Sequence, residues 1–99
     1  MTELTPFTHE VIARLFHSSN VPAVERLLMD ECGSHLPLYK PATPEGLERV
    51  RFAVLKLSNG NIDKLLETVS TAKRDWRDVL VWAGFGNNLN AHKEWAEKL

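Results

Sequence analysis

The chain has 99 residues, 43% of them hydrophobic and 25% charged, which is the composition of one ordinary domain and excludes disordered, collagen-like and membrane classes. Twelve basic and thirteen acidic side chains leave a net charge of −1, without the cationic excess of a general nucleic-acid binder or the surplus of an acidic tail. A single cysteine, Cys32, excludes an intramolecular disulfide, and the longest apolar run, Val79 to Ala83, falls far short of the roughly 18 residues of a membrane span.

The first twenty residues show no basic stretch leading into an apolar one, and no glycosylation sequon occurs. The expectation is a reduced, cytoplasmic protein with no membrane association.

Helix punctuation recurs along the chain. The first helix is predicted over residues 9–18, capped by Thr8, with Phe7 stapled onto Ile12 and an apolar face of Val11, Ile12, Leu15 and Phe16. Ser18-Ser19-Asn20 breaks it and caps a second helix with Pro22 in its first turn; Val24, Leu27, Leu28 and Cys32 face inward and Gly33 ends it. Residues 33–43 form the longest irregular stretch. Thr43-Pro44-Glu45 then opens a third helix with cap, proline and first-turn carboxylate in order, and Ser58-Asn59-Gly60 closes it.

Asn61 caps a fourth helix whose inner face is Ile62, Leu65, Leu66 and Val69. Asp75 caps a fifth, Trp76 to Ala83, so apolar all round that it is expected at the centre of the bundle, ending at Gly84 and Gly86. A last segment, expected to fray, carries His92, Trp95, Ala96 and Leu99 on one side. Residues 50–57 tolerate a β reading, but Arg51 and Lys56 fit the outer face of a helix better. The fold class is therefore all-α: a single compact, irregular bundle of five or six short helices over residues 1–99.

At Asp75-Trp76-Arg77-Asp78-Val79-Leu80-Val81-Trp82-Ala83-Gly84-Phe85 the chain resembles a block found in small, uncharacterised bacterial helical proteins of about this length. Leu55-Lys56-Leu57-Ser58 and Gly60-Asn61-Ile62-Asp63-Lys64-Leu65 carry the same likeness, which covers roughly residues 50–95. The resemblance implies a bacterial cytosolic setting and a short-helix fold, and assigns no activity to any residue.

Catalytic and cofactor chemistries are not encoded in a recognisable pattern. The histidines, His9, His17, His35 and His92, are scattered and read as surface or boundary residues, so no metal is expected. Cys32 has Asp30 and Glu31 beside it at a predicted helix C-terminus, which disfavours a thiolate and makes it a small core residue. Gly84-Phe85-Gly86 follows a helix rather than a strand and reads as a turn, not a phosphate loop. The carboxylate pairs Asp75/Asp78, Glu45/Glu48 and Glu94/Glu97 are explained by capping or solvation. No enzyme and no cofactor is expected.

Two segments carry interfacial residue types. Lys73, Arg74, Trp76 and Arg77 place an indole among cations at the start of the fifth helix, a composition typical of interface hot spots, although Trp76 shares its helical face with Val79, Leu80 and Ala83. Leu36-Pro37-Leu38-Tyr39-Lys40-Pro41 is held extended by its prolines, so Leu38 and Tyr39 are candidate docking residues, with packing as a lid over the bundle as the other reading. Charge is divided: residues 1–50 carry four basic and seven acidic side chains, and residues 51–99 eight and six. The expected function is a non-catalytic protein-interaction module of a bacterial cytosol, an adaptor, regulator or antidote-type protein that binds another protein or itself as a homodimer. The alternative is nucleic-acid binding through residues 73–77, disfavoured by the apolar helix that would have to read the groove.

Overall fold

The computed structural model describes residues 4–32 and 44–99, and these form an all-α bundle. Helix α1 (Pro6–Leu15) begins a turn earlier than the sequence suggests. Thr5, extended, accepts the Thr8 N–H on its hydroxyl at 3.1 Å, and Pro6 takes the first turn, where its missing donor costs nothing. Thr8 is thus a buried helical residue rather than the cap. Phe7, displaced from the staple position, meets the Phe52 ring edge-on at 5.3 Å.

Ser18–Asn20 make one 3-10 turn and hand the chain to α2 (Val21–Glu31), whose Val24 and Leu28 are buried, while Leu27 is only partly so. Gly33 and Thr43, expected as a helix stop and a cap, lie outside the described residues, as do His35, Leu38 and Tyr39.

The centre of the bundle is α3 (Pro44–Ser58), not the fifth helix. Five consecutive residues of α3, Arg51 to Leu55, are buried, so the helix is enclosed all round for more than a turn. It packs against α1 and against all three helices that follow it, and burying Phe52, Val54 and Leu55 contributes about 2 kcal/mol each. The outer-face expectation holds for Lys56, which is exposed, and fails for Arg51, which is 2% exposed. Arg51 tolerates that position because its Nε donates to the Cys32 carbonyl at the end of α2, at 2.9 Å.

Helix α4 (Ile62–Arg74) starts where Asn61 accepts the Lys64 N–H at 2.9 Å, as its sequence predicts. Leu65 and Val69 are buried, Ile62 is partly so, and Leu66, expected inside with them, is 49% exposed. Asp75 caps α5 (Trp76–Ala83), which ends on Gly84 in the left-handed conformation, φ 82°. Val79, Leu80 and Ala83 face the core, but Val81 and Trp82 are 66% and 61% exposed. An apolar sequence does not enclose a helix that has neighbours on one side only.

Side chains of α3 hold the end of α5. Lys56 Nζ donates to the Ala83 carbonyl at 2.6 Å and lies 5.1 Å from the centre of the Phe85 ring; Arg49 Nη2 donates to the Phe85 carbonyl. The last helix, α6 (Ala91–Glu97), buries His92 and Ala96 and leaves Leu99, beyond its end, exposed. His92 and Trp95 close an aromatic nest around Phe52 and Phe85, with ring centroids 5.4–6.2 Å apart.

Candidate interaction surface

The junction between α4 and α5 holds the four described candidates from the sequence. Asp75 turns the chain in extended geometry, its N–H bonded to the Thr71 carbonyl at 2.8 Å. Its carboxylate takes the Arg77 guanidinium in two parallel bonds, Nε to Oδ1 at 3.0 Å and Nη2 to Oδ2 at 3.1 Å. Those side-chain bonds, with the Arg77 backbone N–H after them, hold the Asp75 carboxyl below its usual range. Lys73 reaches across to Glu31 on α2, Nζ to Oε1 at 2.7 Å.

Trp76 is partly buried and packs against the core. Of the cationic cluster, only Arg74 lacks an ion pair among the described residues; its guanidinium contacts the Thr71 hydroxyl at 3.5 Å.

Arg74 instead borders a groove of about 690 Å³ running along α4, with Leu57 of α3, Leu66, Glu67 and Ser70 of α4, and Trp82 of α5. Leu66 and Trp82 are two of the large apolar side chains the fold leaves open to water. Sequence reasoning assigned both to the interior. A signal was present: Trp82 lies four residues after Asp78 and Leu66 three after Asp63, so each shares a helix face with a carboxylate.

A second cavity, about 310 Å³, lies between the start of α3 and α6 and is lined by Glu45, Arg49, Leu89, His92 and Lys93 among others. The His92 ring nitrogens are sealed from solvent and have no hydrogen-bond partner among the described residues. Burial lowers the His92 pKa. Glu48 opposes that shift, Lys93 and Arg49 add to it, and the Leu89 backbone weakly favours the charged form without reaching hydrogen-bond geometry.

Glu48 is itself buried and accepts from the Thr5 and Thr8 hydroxyls of α1 and its cap. Cys32 is fully buried and its thiol is pushed up to about 12 by desolvation, with Arg51 pulling the other way. The described residues contain no group of three or more His, Cys, Asp or Glu that could hold a metal ion, and no helix among them is long and apolar enough to cross a membrane.

No protein-family model, no curated protein and no solved structure matches the chain.

Proposed function

We propose that the chain is a non-catalytic protein-interaction module, an adaptor, regulator or antidote-type protein of a bacterial cytosol, and that the groove along α4 is its contact surface. The observation that carries the reading is the exposure of Leu66 and Trp82 beside Arg74 in that one groove. Exposed aromatic and aliphatic anchors next to an arginine are what association buries, because they combine large apolar area with directional donors. Lys73, Trp76 and Arg77, expected in the contact, are engaged within the chain, so the proposed surface keeps Arg74 and replaces them with Leu66 and Trp82. Nucleic-acid binding through residues 73–77 is the weaker reading, since two of its three cations are already paired with carboxylates.

The test is affinity capture from nuclease-treated bacterial lysate, comparing the native chain with Trp82→Glu. A stoichiometric protein, whether a different chain or another copy of this one, should be held by the native chain and lost in the variant at unchanged thermal stability. Capture by neither from a chain that is itself monomeric, or equal capture by both, overturns the reading.

A further inference from the structure

We propose that the groove along α4 takes a second copy of this chain, packed about a twofold axis with the two α4 helices antiparallel. This rests on the interaction reading above and adds the identity of the occupant.

The argument is the order of charges on the open face of α4. Asp63, Glu67, Ser70 and Arg74 follow one another at intervals of four, three and four residues, which puts them on a single outward stripe. Each is exposed. The stripe is acidic where the helix begins, small at its middle and basic where it ends. Glu67 and Arg74 stand seven residues apart, about two turns or 10 Å along the axis.

A stripe of this kind is complementary to itself when reversed. With the axis between Ser70 and Thr71, Glu67 of each copy falls opposite Arg74 of the other, and both pairs form at once, as an isologous interface requires. The short Ser70 and Thr71 side chains let the helices approach, and Leu66 and Trp82, which share the groove, are covered in the process.

The charges are available for this. Among the described residues Arg74 has no ion pair, and the Glu67 carboxylate pairs only with Lys64 of its own helix, at 3.8 Å with both side chains mostly exposed. A partner of a single sign would face a like charge at one end of the stripe, whereas a second copy meets an opposite charge at both.

The experiment is mass determination by light scattering from micromolar to near-millimolar concentration, on the native chain, Glu67→Arg, Arg74→Glu, and an equimolar mixture of the two variants. The native chain should dimerise. Each reversal alone places like charges opposite one another twice and should weaken the dimer about tenfold or more. Mixing should restore dimer mass, because one copy then carries arginines where the other carries glutamates. A misfolded variant would not be rescued in that way, and Glu67→Gln with Arg74→Gln, each weakening association less than the reversals, repeats the test if either reversal unfolds.

A native chain that stays monomeric, dimers indifferent to the reversals, or no recovery on mixing overturns the proposal. A monomer that still captures a different protein through Trp82 would remove the second copy and leave the interaction reading standing. A monomer that captures nothing would remove both.

Discussion

Arg51 and Cys32 are joined through the backbone: the buried Arg51 guanidinium donates its Nε–H to the Cys32 carbonyl at 2.9 Å, tying the middle of the central helix to the end of α2. The contact satisfies a carbonyl that the end of α2 leaves without a helical partner, and it gives a buried cation an oxygen to donate to. Arg51→Met keeps the apolar stem and removes the donor, stranding that carbonyl. Chemical denaturation should show a loss of about 1–3 kcal/mol. A loss near zero would mean that the stem alone matters.

Cys32 lies against this arginine yet behaves as an apolar side chain. Desolvation holds its pKa at about 12, so the nucleophilic thiolate is scarce at neutral pH, and the buried sulfur is out of reach. The native protein should resist iodoacetamide through pH 9 and react promptly once unfolded. Labelling of the native state at the rate of a free thiol would contradict the burial.

His92 should make stability depend on mild acid. Well above pH 6.5 the imidazole is neutral in both folded and unfolded chains and contributes no slope. Its folded pKa is depressed, so as pH falls through about 6.5 the unfolded chain takes up a proton that the folded chain resists, and stability declines. Thermal midpoints for the native chain and His92→Leu, compared between pH 7.5 and 5.5, should diverge, with the variant flatter. Because neither ring nitrogen is hydrogen-bonded among the described residues, the variant should lose little at pH 7.5. Parallel curves would assign the slope elsewhere.

Two glycines with nearly the same φ should respond differently to alanine. Gly60 has φ +80°, and a Cβ there would stand 2.6 Å from the Leu15 carbonyl oxygen; Gly84 has φ +82°, but its nearest neighbour would be the flexible end of Lys56 at 3.8 Å. Gly84→Ala meets only the left-handed backbone penalty, about 1–2 kcal/mol. Gly60→Ala adds a clash with backbone and should cost about 3 kcal/mol or more. Equal losses in thermal denaturation would mean that α1 and the α3–α4 turn can separate freely.

What was legible in the sequence was local. The caps at Asn61 and Asp75 and the stop at Gly84 act within one turn of their own residues, and each stands where the punctuation placed it. The start of α1 carries the same grammar, since Thr5-Pro6 repeats the Thr43-Pro44 pair from which the third helix is predicted, and it lies a turn before the predicted one. Partners distant in the chain set the remaining departures. Arg51 is inside because a carbonyl 19 residues earlier receives it, and Lys73 is engaged because Glu31 faces it from α2. Trp82 is outside because α5 has its packed neighbours on one face, which an apolar run cannot reveal. The groove proposed as the contact surface was therefore half legible: its arginine came from composition, while its apolar half needed the fold.

Trp82, 61% exposed, differs in surroundings from the partly buried Trp76 and Trp95. Indole emission moves to longer wavelength in contact with water, so Trp82 should dominate the red edge of the protein's fluorescence and the other two the blue. Whatever settles along α4 strips water from that one ring. The chain thus carries an unlabelled optical reporter in the groove proposed as its contact surface, readable by selective excitation at the red edge or by iodide quenching.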